Sequence, residues 1–235
     1  MHNQTLQAPN NSPVKDPVNP RRLLVMDVDS TLIDEEVIDL IGEASGKGRH
    51  IADITSRAMR GDLDFRQALA ERVRLLQGVP VSVLDDVFEA VHFTNGALDM
   101  IATAHERGWT VGVVSGGFHE IVDRLVTLAG IDHAIANTLE TKDGVLTGKT
   151  LGEVVTKETK LRALQSWAAE DNVDMADTVA IGDGANDIPM ILAAGTGIAF
   201  CAKPAVQQAA PHTLNVRDLR PVISIIDNDR QNVQK

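Results

Sequence analysis

The sequence predicts an α/β fold: a doubly wound parallel sheet, a helical segment inserted after its first strand, and a small β-hairpin. Three observations predict it. Short apolar runs alternate with stretches of helical periodicity, the pattern of parallel sheets covered by helices. Two of those runs, 23–26 and 178–181, break off into aspartates, as strands do where α/β sheets bind ligands. Residues 35–93 carry helical periodicity and no convincing strand, so they need a core of their own.

The elements follow in order. Residues 1–21 are polar and rich in proline and asparagine, without the apolar segment of a signal peptide; they read as a disordered, dispensable leader. The run Leu-Leu-Val-Met at 23–26 reads as a buried strand. Helical spacing follows at Val37, Ile38, Leu40 and Ile41, at Ile51, Ile54, Ala58 and Met59, and at Phe65, Leu69, Val73 and Leu76. Turn signals intervene at 46–48, 61–62 and 78–80. Further strands are expected at 110–114, 178–181 and 197–200, with a weaker one near 134–136. Helices are expected at 98–106, 119–129 and 159–169. Asp143-Gly144 between 138–141 and 145–147 reads as a hairpin turn. The predicted organisation is a catalytic core of 22–34 and 94–235, with a helical cap of 35–93 beside the first strand's end, placed to act as a lid.

Composition narrows the function. A chain of 235 residues, 43% apolar and 23% charged, is an ordinary globular protein. A net charge of −11 argues against nucleic-acid binding by phosphate neutralisation. It leaves a phosphate ester open as substrate, because a bound metal inverts the local field. Most of the acidic residues read as solubilising. The one cysteine, Cys201, forms no intrachain disulfide, suits a reducing cytoplasm and reads as a small core residue. The seven histidines lack zinc spacing. No run approaches the roughly 18 apolar residues of a membrane span. Nothing in the pattern speaks to oligomeric state.

Four segments carry chemistry. Asp27 and Asp29 lie two apart, so on a strand they point the same way. Two such carboxylates repel unless a cation or a shared proton stabilises them. Gly182-Asp183-Gly184-Ala185-Asn186-Asp187 follows another strand and adds oxygen ligands. Taken alone it is a plain surface turn; with Asp27 and Asp29 it points to a hard cation, Mg2+. Ser115-Gly116-Gly117 reads as a strand end opening a helix, a weak anion site. Lys160 near a helix start is ordinarily solvated, though a phosphate would explain it better.

In order along one sheet, these segments resemble the four motifs of the haloacid dehalogenase-like phosphohydrolases: Asp-x-Asp-x-Thr, a Ser, a Lys and Gly-Asp-Gly-x-Asn-Asp. The likeness runs from about 22 to 225. It is most specific to members with a helical cap after the first motif that act on O-phosphoserine. Val-Val-Ser-Gly-Gly-Phe at 113–118, Gly-Asp-Gly-Ala-Asn-Asp-Ile-Pro-Met at 182–190 and Ala-Phe-Cys-Ala-Lys-Pro at 199–204 carry it.

The resemblance implies hydrolysis of O-phosphoserine to serine, the last step of serine biosynthesis, through an aspartyl-phosphate on Asp27. Asp29 would be the general acid and base. Ser115, Gly116 and Lys160 would bind phosphate, with Asn186 beside the substrate. Asp27, the carbonyl of Asp29, and Asp183 would hold Mg2+, with Asp187 behind them. Glu36 would face the substrate ammonium and Arg72 its carboxylate. On residues alone, Glu36 in the run Asp34-Glu35-Glu36 is a favourable charge near a helix N-terminus. Arg72 beside Glu71 and Arg74 is equally a solvated face. Asp34 and Glu35 make the entrance more acidic than the family pattern, and the amino-acid-binding regulatory domain of some relatives is not expected. Two rivals stand: a phosphotransferase moving the phosphoryl group to an acceptor such as homoserine, and a phospho-aspartate signalling module. A new phosphoester would mark the first, a long-lived phosphoprotein the second.

Overall fold

A computed structural model describes residues 21–233; the leader expected at 1–21 lies almost wholly outside them. β1 (Leu23–Met26) leads into a tight turn and then four helices: α1 (Val37–Ala44), α2 (Gly48–Met59), α3 (Phe65–Leu75) and α4 (Val83–Glu89). Then come α5 (Ala97–Glu106), β2 (Thr110–Phe118), α6 (His119–Ala129), β3 (His133–Lys142), β4 (Val145–Leu151), α7 (Lys157–Glu170) and β5 (Thr178–Gly182). The chain closes with α8 (Ile188–Ala193), β6 (Thr196–Phe200), α9 (Pro204–Ala209), β7 (His212–Leu214) and α10 (Pro221–Val233).

The seven strands run in the order β4-β3-β2-β1-β5-β6-β7. All neighbours are parallel except β3 and β4. The faces of β1 follow the pleat. Leu24 and Met26 join a cluster with residues of α1–α6 and α10, whereas Leu23 and Val25 join one with α7 and α8. The sheet is therefore covered on both sides, the doubly wound arrangement.

The hairpin forms as its turn dictates. Asp143 and Gly144 both take positive φ, 51° and 77°, the two-residue turn that matches strand twist. β3 is longer than expected: 134–136 and 138–141 belong to one strand, not two. β7 escaped the sequence reading because three residues give no usable period.

Between the turn after β1 and α5 the described residues form helices and no named strand. α3 starts with a capping box: the Asp64 side chain accepts from Gln67 N, and the Gln67 side chain accepts from Asp64 N. The two connections to the sheet lie side by side. Ile33 bridges Phe93, Asp34 N donates to the His92 carbonyl at 3.0 Å and Thr94 N to the Leu32 carbonyl at 2.9 Å. The segment between α3 and α4 is tied to the hairpin as well. Gly78 N donates to the Leu146 carbonyl and Leu146 N to the Val79 carbonyl, both at 2.8 Å.

Candidate active site

Sheet register brings the acidic segments together. Met26 is level with Ile181 across β1 and β5, and Asp27 N donates to the Ile181 carbonyl at 3.0 Å. Asp27 and Asp183 therefore emerge on adjacent strand ends. Asp27 and Asp29 do not both sit on the strand, as the two-residue spacing suggests. β1 ends at Met26, and Asp29 lies in a turn closed by Ser30 at φ 54°. The turn still aims both carboxylates into one cavity.

That cavity encloses about 330 Å³. Asp27, Asp29, Gly116, Gly117, Asp183 and Asn186 line its sheet side; Glu36, Asp39, Thr55, Phe65 and Arg72 line the helical side. A second cavity, about 660 Å³, adjoins it, and Thr55, Phe65, Arg72, Asn186 and Lys203 border both. Phe65 approaches Gly116 so closely that a Cβ there would meet its ring at 3.1 Å.

Lys160 is the largest departure from the expectation of a solvated side chain. It is 1% exposed, and its ammonium bridges Asp27 Oδ1 and Asp187 Oδ1, each at 2.7 Å. Burial alone lowers the pKa of Lys160, but Asp187 and Asp27 override it and hold the ammonium charged. Asp187 is fully buried, and its other oxygen accepts from Gly184 N at 2.9 Å. Gly182 has to be glycine, because a Cβ there would collide with that carboxylate.

Asp29 accepts from Val37 N at 2.7 Å through Oδ1 and from the Ser115 hydroxyl at 3.0 Å through Oδ2. Ser115 is fully buried and its Oγ accepts from Gly117 N at 2.7 Å. Residues 115–118 do not open a helix; β2 continues irregularly through them, and α6 begins at His119. Glu36 precedes α1 without capping it. Its carboxylate turns back to accept from the Ser30 hydroxyl at 2.7 Å. Arg72 is half-buried, not on a solvated face.

Oxygen atoms of Asp27, Asp183 and Asp187 lie within 4.8 Å of one another. Burial pushes Asp27 well above the usual carboxylate range, and Asp187 adds to this against Lys160. Burial also raises Asp29. Asp183 is pushed to about 6 by burial and then Asp187; Glu36 rises to about 7 through burial and then Asp29. One ammonium does not balance this cluster. Oxygen-only donors with excess negative charge fit a hard divalent cation, and Asp27 and Asp183, with Asp187 behind, are the residues that could hold it.

Three polar lining residues, Asp39, Thr55 and Lys203, escaped the sequence reading. Asp39 and Thr55 sit inside ordinary helical patterns, and only the packing of α1 and α2 turns them inward. The hydroxyl of Thr55 is buried and has no hydrogen-bond partner among the described residues. Lys203 belongs to a quoted motif, yet nothing in the sequence predicted its place at the cavity wall. No helix among the described residues is long and apolar enough to cross a membrane.

A profile of the haloacid dehalogenase-like hydrolases matches residues 24–192. Phosphoserine phosphatase of Streptococcus thermophilus is 58% identical over 205 residues, 87% of this chain and 95% of that protein. That of Lactococcus lactis is 53% identical over the same shares. A phosphoserine phosphatase structure representing a phospho-aspartyl intermediate analogue superposes with a TM-score of 0.82 at 41% identity, over 87% of this chain and 98% of the other. A substrate-bound phosphoserine phosphatase gives 0.83 at 40%, over 87% and 97%.

Proposed function

Because the chain belongs to the haloacid dehalogenase-like hydrolases, we propose that it hydrolyses O-phosphoserine to serine and phosphate through an aspartyl-phosphate on Asp27. The observation that carries this is the division of one cavity. Asp27, Asp29 and the Gly116–Gly117 backbone border one side, and Glu36 and Arg72 the other. That layout complements a phosphoester on a zwitterionic amino acid.

Phosphate-monoester hydrolysis is among the slowest uncatalysed reactions, and a covalent intermediate splits it into two easier steps. An Asp27 oxygen attacks phosphorus as the bond to the serine oxygen breaks. Asp29, its pKa raised by burial, gives its proton to that departing oxygen. Serine leaves. Asp29, now a carboxylate, takes a proton from water, whose oxygen attacks the same phosphorus and frees Asp27. Lys160 neutralises the phosphoryl oxygens, with Ser115 and the backbone N–H of Gly116 assisting. Asn186 contacts the phosphate side. Glu36 receives the ammonium, and Arg72 the carboxylate through its planar fork.

The cofactor on this reading is Mg2+, which Asp27, Asp183 and the carbonyl of Asp29 would hold, with Asp187 behind them. When bound it supplies charge neutralisation that the single buried lysine cannot. The four helices of 35–93 act as a cap over a core of 22–34 and 94–235, with Phe65 against Gly116 as the point of closure.

A panel of phosphorylated small molecules, assayed for free phosphate with and without Mg2+, tests the reading. Phosphoserine should give the highest kcat/KM, and chelation should abolish it. Full activity after exhaustive chelation, or a phosphoester formed on homoserine in place of free phosphate, would overturn it.

A further inference from the structure

Arg217 lies between β7 and α10, outside the cavity, and nothing in the chemistry above uses it. Its guanidinium reaches the turn that follows β1. Nη1 donates to the Ser30 carbonyl at 2.9 Å, Nη2 to the Ile33 carbonyl at 3.0 Å and Nε to Asp34 Oδ1 at 2.7 Å. The same group lies 5.5 Å from the centre of the buried Phe200 ring.

The turn it grips is unusual. Ser30 takes φ 54°, a conformation that a residue with a side chain enters only when its surroundings hold it there. Ser30 N donates to the Glu35 carbonyl at 3.1 Å, and Ile33 N to the Val28 carbonyl at 3.0 Å. One planar fork collects the carbonyls of both Ser30 and Ile33. Asp29 immediately precedes Ser30, and Glu36, at the far end of the turn, accepts from the Ser30 hydroxyl. Two site carboxylates thus hang on a turn to which one arginine adds three contacts, beside the Ile33–Phe93 bridge and the bonds that Val37 N and Ser115 give to Asp29.

A surface ion pair is the plainer explanation, since Arg217 and Asp34 are about 36% and 44% exposed. Such a pair needs only Asp34 and contributes little. It leaves the two carbonyl contacts unexplained.

We propose that Arg217 is a positioning residue of the reaction: by fastening this turn it holds Asp29 at the angle from which it protonates the departing oxygen. The proposal rests on the acid–base reading of Asp29, so Asp29→Asn is measured alongside. Two substrates separate positioning from general support. The serine alkoxide needs a proton to leave; the p-nitrophenolate of p-nitrophenyl phosphate does not. Single-turnover formation of the phosphoenzyme is followed with each at saturating substrate, for Arg217→Met and Arg217→Lys. A weakened ammonium contact at Glu36 then shows in the concentration needed for saturation, and only a displaced Asp29 lowers the maximal rate. A loss confined to the saturating concentration would overturn the proposal. Lysine keeps the charge but cannot span two carbonyls with a planar fork.

Arg217→Met should slow reaction with phosphoserine roughly 10–100-fold and leave the nitrophenol burst nearly unchanged. Arg217→Lys should show the same selectivity more weakly, and added guanidinium should recover part of the loss in Arg217→Met. Equal losses on both substrates in a folded Arg217→Lys protein, or no loss on either, would overturn the proposal. If Asp29→Asn is selective and the Arg217 variants are not, the proposal falls and the role of Asp29 stands. If Asp29→Asn is not selective, both fall.

Discussion

At the scale of single residues the site is under electrostatic tension. Asp27 is almost fully buried beside Asp187 and Asp29, and one ammonium bridges it to Asp187. Removing its charge should therefore cost nothing in stability while removing the proposed nucleophile. Asp27→Asn is expected to abolish turnover and to leave the metal-free melting temperature equal to or above that of the wild type. A folded variant with near-normal turnover would exclude Asp27 as nucleophile. Glu36 and Arg72 make a different prediction, on substrate choice. If Arg72 is the partner of the substrate carboxylate, Arg72→Ala should strand that group and cost on the order of 2–5 kcal/mol in kcat/KM. An aryl phosphate lacks that carboxylate and should be almost unaffected. Equal losses on both would mean that Arg72 only supports the fold. Glu36 adds a pH signature. Burial and then Asp29 raise it to about 7, so below that pH it is protonated and has to lose its proton to meet an ammonium. KM for phosphoserine should therefore rise as pH falls through 7 in the wild type. That limb should be missing from Glu36→Gln. Asp27 and Asp183 are legible in the sequence because each follows an apolar strand directly, and Asp29 because it stands two residues beyond Asp27. The burial of Lys160 is not, since it follows from two carboxylates that tertiary packing brings to it.

At the scale of elements, the helical segment depends on the hairpin for its placement. Gly148 on β4 takes φ 83°, and a Cβ there would lie 3.0 Å from Gln77 Cβ and 3.2 Å from the Arg74 carbonyl. Arg74 and Arg72 share α3. Gly148→Ala is thus strained twice, by its backbone and by contact with the end of α3. It should destabilise by about 1–3 kcal/mol and raise KM for phosphoserine more than it lowers kcat, because it moves the helix that carries Arg72. Thermal unfolding and steady-state kinetics check both parts; a lowered kcat at unchanged KM would mean that the strain reaches the sheet instead. The hairpin was readable from Asp143-Gly144 alone, since local turn chemistry decides it. Its pairing with 78–81 was not, because no local pattern encodes which distant segment meets a strand edge. α1, α2 and α3 were readable by period, whereas α4 gave no such spacing and was covered only by the general helical reading of 35–93. Which faces of α1 and α2 present Asp39 and Thr55 to the cavity depends on how the helices cross.

At the scale of the whole molecule, the site couples folding to pH and to metal. Burial raises Asp27, Asp29, Asp183 and Glu36 in the metal-free fold, with Asp183 at about 6 and Glu36 at about 7. Unfolded, such carboxylates titrate near about 4. Between these limits the folded chain binds more protons than the unfolded one, so stability is greatest below the window and falls as pH rises through it. The metal-stripped protein should melt at progressively lower temperature from pH 5 to 7.5. In Asp183→Asn the decline should be shallower, because one of the groups that take up protons on folding is gone. On the proposed reading Mg2+ would bind only the folded, ionised cluster, so it should restore the loss at neutral pH, by about 2.7 kcal/mol at one hundred times its Kd. Calcium, also a hard cation, should stabilise too, yet support turnover poorly because it prefers more ligands at longer distances. Calorimetry at several pH values, with each metal and with chelator, measures all of this. A metal-free melting temperature that is flat or rising over the window, in wild type and Asp183→Asn alike, would mean that these carboxylates are not held against their charge. The case for a cation at Asp27, Asp183 and Asp187 would then lose its physical basis.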